Sequence, residues 1–318
     1  MAARNLLHSV PSDETSAAAD WPSLRQGWEL TLRADGYSPE SLRTYRHGVR
    51  SLLEWLDGET APDELDRNHV RAWIAHLRET RSATTANIYF SGVRSFTRWL
   101  LAEGEVATDA TAGIRAPIPS EPSTPVLPSE DLKRLLASCS GQDFRSRRDT
   151  AILLVLADGG LRLAELTGLT VADVDLEAKM LFVQGKGSQR KGARPRAVPI
   201  GTRTTLALNR YLRVRERHAL HERPELWLGN GRGHSVLGAG SIRKLVGRRG
   251  QAAGIEGLHP HALRHSWASQ YRANGGSEGN LMSLGGWRNR AMLDRYGRAA
   301  AADRAAEDYH NRSLADRL

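Results

Sequence analysis

Cysteine is almost absent from this chain: Cys139 is the only one in 318 residues. A lone thiol excludes an intramolecular disulfide framework and any metal cluster built on cysteines, and it suits a reducing cytoplasm. Long apolar runs are missing as well. The longest, AILLVLA at 151–157, falls far short of the roughly 20 residues that span a bilayer. The opening MAARNLLHSVPSDETSAAAD has no apolar centre of the kind a secretory signal carries, so the expectation is a soluble cytoplasmic protein with no membrane partner. Lysine is scarce, 5 against 40 arginines. A GC-rich genome by itself produces so lopsided a ratio, and no single arginine therefore carries an argument. There is no internal repeat.

What is present in excess is positive charge. The formal net charge is +9 and the sequence pI about 10.1, which favours a polyanionic partner, nucleic acid foremost. With 40% apolar residues and eight Trp the chain can bury sizeable cores, and its length suggests about two domains.

The pattern along the chain divides accordingly. Residues 1–20 are polar and Ala/Ser-rich and read as a flexible lead. A helical domain is expected over 21–113. In SPESLRTYRHGVRSLLEWLDGE, Ser38 is placed to cap a helix with Pro39 at its first position. Leu42, Tyr45, Val49, Leu52, Leu53 and Leu56 recur at helical spacing as one buried stripe. Further helices fit 66–77 and 84–101, the latter with Tyr89, Val93, Phe96 and Leu100 on one face.

Residues 114–128 hold five prolines and no periodicity, the mark of a semi-extended linker. A second domain is expected over 129–318. A helical run from Ser129 stops at Gly159 and Gly160, and the strand-like pieces KMLFVQG and RPRAVPI flank the basic loop KGSQRKGA as a hairpin. Helices return at 202–217 and from Ser241 onward. The fold class is mainly α with a small β-sheet.

Four places in the second domain could carry chemistry. In GGLRLAELTGL, Arg162 follows a glycine pair and Glu165 stands three residues on, close enough on a short helix to orient the guanidinium; a surface ion pair is the plain alternative. On the hairpin, Lys186 and Lys191 could donate a proton to a leaving oxygen, or be ordinary solvated lysines. In LHPHALRHSWASQY, His261 and Arg264 share a helical face and could grip one anion, while His259 and His265 compete with capping or core roles. In LGGWRNRAMLDRYGR, Trp287 lies nine residues before Tyr296, a phenol between arginines. Packing is the plain role for that Trp. No second Cys or His cluster has usable ligand spacing, so no metal is expected.

The order of these residues, Arg, hairpin Lys, His-x-x-Arg, Trp, Tyr, in a basic protein with a helical first domain, resembles the tyrosine recombinases, the phage-integrase family. The resemblance covers about Trp21 to Tyr296, and its motifs fall on GLRLAEL, GKG, HALRH, Trp287 and Tyr296. It implies a SAM-like core-binding domain followed by a DNA breaking-rejoining catalytic domain. It implies Arg162, Lys186, His261, Arg264 and Trp287 as catalytic residues with Tyr296 as nucleophile and Glu165 in support. Two departures stand out: most bacterial members carry His where Trp287 stands, and the loop between the strands is longer than usual, so counting back from VPI selects Lys191 instead of Lys186.

The chemistry implied is cleavage and rejoining of double-stranded DNA through a 3′-phosphotyrosine, without cofactor, metal or ATP. The working unit implied is a homo-tetramer, or a pairing with a second recombinase, on nucleoid DNA. A binding-only relative that has lost chemistry, and a type IB topoisomerase-like enzyme, remain the alternatives.

Overall fold

The computed structural model describes residues 20–58, 60–119, 126–184, 195–230, 235–287 and 289–290. Lys186, Lys191, Tyr296, the tail after it and all but the last residue of the expected lead lie outside them. The chain divides into two compact units, Met1–Pro122 and Ser123–Leu318, and the division falls within the proline-rich stretch. No helix among the described residues is long and apolar enough to cross a membrane.

Among its described residues the first unit has four α-helices and a single helical turn at Pro62–Glu64, and each α-helix is opened by a side chain that accepts from a backbone N–H otherwise left without an intrahelical partner. Asp20 starts α1 (Trp21–Ala34) and Ser38 starts α2 (Pro39–Leu56). Asp66 starts α3 (Arg67–Thr80) and Ser82 starts α4 (Ala83–Glu103). Trp28, Val49, Leu52, Trp73, Phe90, Phe96 and Leu100 form the core. Helices α2 and α4 cross at two glycines: a Cβ on Gly48 would lie 2.4 Å from the Tyr89 carbonyl oxygen, and one on Gly92 would lie 2.6 Å from that of Tyr45. The main chains of Tyr45 and Tyr89 meet the partner helix there, so their rings, expected in the buried stripes, are only half-buried.

The second unit is built around a buried helix. The helical run expected from Ser129 is two helices, α5 (Ser129–Ala137) and α6 (Phe144–Gly159), because Asp143 accepts from the backbone of Arg145 and Ser146 and starts a new one. Residues 151–156 of α6 are buried all round, as an all-apolar helical stretch must be. Fully buried Asp149 takes Arg148 on Oδ1 at 2.7 Å and Arg249 on Oδ2 at 2.9 Å.

After α6 come the short α7 (Leu163–Thr167) and an antiparallel sheet of β1 (Val174–Asp175), β2 (Met180–Val183) and β3 (Arg196–Pro199), in the order β1-β2-β3. Strands β2 and β3 lie in the two pieces read as a hairpin, with Leu181 opposite Val198 and Val183 opposite Arg196. The two-residue β1 is too short to leave an alternation in the sequence. Then follow α8 (Thr202–Arg215), α9 (Ala239–Ala252), α10 (Pro260–Ala273) and α11 (Glu278–Gly285). Positive φ at Gly254, Gly257 and Gly275 separates the helices expected from Ser241 onward.

Candidate active site

Three arginines gather where α6 ends, two of them on one carboxylate. Gly160 closes α6 at φ +56, and a Cβ there would come within 2.1 Å of the Trp267 ring. Only glycine satisfies both the conformation and the close approach. The chain then turns into α7, with Arg162 at its N-cap and the Glu165 carboxylate accepting the Arg162 backbone N–H through Oε2 at 2.8 Å. The Arg162 side chain returns the contact, Nη1 donating to Oε1 at 2.8 Å while Nη2 donates to the Gly286 carbonyl at 2.9 Å. The contact that the spacing of Arg162 and Glu165 suggested is present, and its carboxylate end is closed to water, the Glu165 side chain being 6% exposed.

Burial pushes the Glu165 carboxyl upward, but the hydrogen bonds and charge of Arg196, with those of Arg162, outweigh it and hold it at about 2. It is ionised at any ordinary pH.

Arg264 comes to the same place from α10. Its side chain is almost fully buried, at 2% exposure. It donates to the carbonyl of Gly160 and, at 2.6 Å, to that of Gly285. The guanidinium carbon stands 4.6 Å from the centroid of the Trp287 ring. Trp287 is buried beside Trp267, ring centroids 6.1 Å apart, so it packs, and what it packs on is a candidate catalytic arginine.

The three histidines of α10 separate clearly. His259 is the helix cap, its Nδ1 accepting from the Ala262 N–H at 3.2 Å, and His265 is buried. These are the capping and core roles the sequence offered. His261 is exposed, its ring nearly parallel to that of His259 at 6.4 Å. His259 is exposed as well, with its Nδ1 engaged at the cap.

One residue of the site was not foreseen. Arg196, the first residue of β3, donates from Nη1 and Nη2 to Oε1 and Oε2 of Glu165, both at 2.9 Å, and from Nε to the Leu284 carbonyl at 2.8 Å. Its partners are far away in sequence, so no local spacing marks it. The end of α11 closes the group: Gly286, at φ +63, has no room for a Cβ, which would lie 2.9 Å from Arg196 Nη1 and 3.2 Å from Arg162 Nη1. Arg162 and Arg196 share the Glu165 carboxylate while Arg264 holds the carbonyl beside the one that takes Arg162, and Arg162, 38% exposed, is where this guanidinium-rich cluster meets solvent. Such a cluster binds an anion and stabilises one that gains charge. Of the expected positions, Arg162, Glu165, Arg264 and Trp287 are brought together with Arg196, and His261 stands at the start of the helix that carries Arg264. Among the described residues no group of three His, Cys, Asp or Glu could hold a metal ion.

Known proteins resemble the chain over most of its length. The model of the Phage integrase family matches residues 125–303, and that of the Phage integrase, N-terminal SAM-like domain matches 24–104. Tyrosine recombinase XerC of Corynebacterium efficiens is 31% identical over 279 residues, covering 80% of this chain and 86% of that protein. XerC of Azotobacter vinelandii is 34% identical over 251 residues, 77% of each. Among solved structures, the Tn1549 transposon integrase in complex with transposon right end DNA superposes with a TM-score of 0.70 at 19% identity, over 91% of this chain and 99% of that one. A lambda integrase tetramer bound to a Holliday junction gives 0.68 at 17%, over 88% and 78%.

Proposed function

Since the chain belongs to the phage integrase family, we propose that it is a site-specific recombinase that cuts and rejoins duplex DNA through a covalent bond between Tyr296 and a 3′-phosphate. In the forward step the Tyr296 oxygen bonds to phosphorus, the bond from phosphorus to the 5′-oxygen breaks, and that oxygen leaves as a hydroxyl. The proton it needs comes from the hairpin lysine, Lys186 or its alternative Lys191, and His261 receives the proton of the phenol. The 5′-hydroxyl of a second strand then reverses the step, so the ester bond is conserved and the exchange needs neither ATP nor a metal to drive it.

The observation that carries this reading is the convergence of the Arg162 and Arg264 guanidiniums on the adjacent carbonyls of Gly286 and Gly285. The attacked phosphodiester gains a second negative charge in the transition state, and prearranged guanidinium donors stabilise it without reorganising. Their preorganisation rests on acceptors supplied by Glu165 and by the carbonyls of Gly160, Gly285 and Gly286. Trp287 steadies Arg264 through its ring, and its indole N–H is the donor that the family resemblance assigns to a phosphate oxygen. The helical domain expected over residues 21–113 adds affinity for the duplex, with arginine–phosphate contacts supplying a salt-dependent share of it. Four copies on two paired sites make the working unit, in the cytoplasm on nucleoid DNA.

A two-site assay tests this: the protein, in a chelator-containing buffer, is given two labelled duplexes carrying its site. Joined recombinant products support the reading. Relaxation of supercoiled DNA without joined products transfers the chain to a topoisomerase-like role, and binding with neither reduces it to an accessory protein.

A further inference from the structure

We infer that Arg196 is a positioning residue for cleavage, holding Glu165 and the end of α11 so that the Arg162 and Arg264 guanidiniums keep their donors turned to the phosphate. The inference rests on the recombinase reading and assigns a role within that site to a residue the motif pattern omits.

An ionised carboxylate offers about four lone-pair sites, and those of Glu165 take four donors: the Arg162 backbone N–H and Nη1, and Arg196 Nη1 and Nη2. Two of the four come from Arg196. Without them a buried anion would be left half-satisfied, at a cost that is large in a low dielectric. The charged groups that face it are Arg196 from β3 and Arg162 from the turn before α7. The relief nearest to hand would be a second N–H from Arg162, and that rotation would turn its fork from the substrate towards the carboxylate.

The third donor of Arg196 reaches the other half of the site. Its Nε holds the Leu284 carbonyl, and the next two carbonyls along the chain, Gly285 and Gly286, receive Arg264 and Arg162. A single guanidinium thus sets the carboxylate partner of one catalytic arginine and the stretch of main chain that serves both. Lysine cannot reproduce this, because one ammonium lacks the planar fork that meets both carboxylate oxygens and a carbonyl beyond them.

The test compares wild type, Arg196→Ala and Arg196→Lys in single-turnover cleavage of a nicked duplex that traps the covalent adduct, over a range of pH. The duplex affinity of each is measured alongside. Loss of the anchor should slow cleavage by about 10- to 100-fold in the Ala variant, leave duplex affinity within about twofold, and move the acid limb of the rate to higher pH, because burial then acts on Glu165 with only Arg162 opposing it. The Lys variant should stay at least about tenfold slow.

A wild-type rate in either variant overturns the inference. So does a slow Ala variant whose acid limb has not moved, which is the mark of general loosening. If the Ala variant does not fold, the Lys variant, which keeps the charge, decides by the same two readouts. A wild-type protein that forms no adduct sinks the recombinase reading instead. Titration of the Glu165 carboxyl by 13C NMR in DNA-free protein then decides whether Arg196 holds it, an unchanged midpoint in the variants counting against.

Discussion

The Arg264 guanidinium lies against the face of Trp287, 4.6 Å from guanidinium carbon to ring centroid, where both side chains are nearly closed to water. A cation on an indole face gains most where it is desolvated, up to about 2 kcal/mol. Trp287 then does two things, filling space beside Trp267 and steadying a cation. Trp287→Ala should cost about 3–5 kcal/mol of unfolding free energy and slow adduct formation, whereas Trp287→Phe, which keeps an aromatic face, should retain most of both. Denaturant melts and adduct rates of the two variants check this, and equal losses in both would show that the ring face does not matter.

Gly160 is required by conformation and by contact. Its φ is +56, and a Cβ would come within 2.1 Å of the Trp267 ring, so Gly160→Ala combines left-handed strain with overpacking. The two together should cost about 2–5 kcal/mol. They should also displace the carbonyl that holds Arg264, so that cleavage falls more steeply than stability. Denaturant unfolding and single-turnover cleavage on the same preparation separate the two effects; an unaltered melt would contradict the geometry.

Glu165 gives a pH dependence with a definite sign. Its carboxyl sits at about 2 in the folded protein against an ordinary value of 4.5, so the stability it contributes is fully present above about 4.5 and is lost as pH falls through about 2. The linkage is worth on the order of 3 kcal/mol. Glu165→Gln removes it. The gap between wild type and Glu165→Gln in denaturant unfolding should be widest at neutral pH and narrow steadily between about pH 5 and 2; a gap that stays constant over that range would mean that the carboxylate is not held as described.

In the first unit the crossing of α2 and α4 depends on Gly48 and Gly92, each against the main chain of the facing tyrosine at 2.4 and 2.6 Å. A methyl group there has only backbone to push on. Gly48→Ala and Gly92→Ala should each destabilise this unit by about 1–3 kcal/mol, despite the better helix propensity of alanine. They should weaken DNA binding without altering the arginine site. Thermal melting of the variants measures it, and unchanged or raised midpoints would refute the close packing.

What the sequence made legible was what short-range chemistry writes. Ser38 and Pro39 announced α2, the Gly159–Gly160 pair announced the end of α6, and the spacing of Arg162 to Glu165 announced a contact within one helical turn. His261 and Arg264 could be placed on one helix for the same reason. Arg196 could not be found this way, since its partners Glu165 and Leu284 lie 31 and 88 residues off and a strand residue reveals at most which face it takes. The left-handed turn at Gly286 and the seating of Trp287 on Arg264 were hidden likewise: each exists only once α6, β3, α10 and α11 have packed. The split of α5 from α6 was missed because helix-forming composition resumes on both sides of a six-residue break.

The most direct measurement traps the proposed intermediate. The protein, without metal or ATP, is incubated with a library of nicked suicide duplexes, and DNA that stays attached after denaturation is sequenced while the modified peptide is identified by mass. The account expects an adduct on the peptide that contains Tyr296, its loss in Tyr296→Phe, and duplex binding preserved in that variant. An adduct on another residue, or none although the DNA is bound, would contradict it.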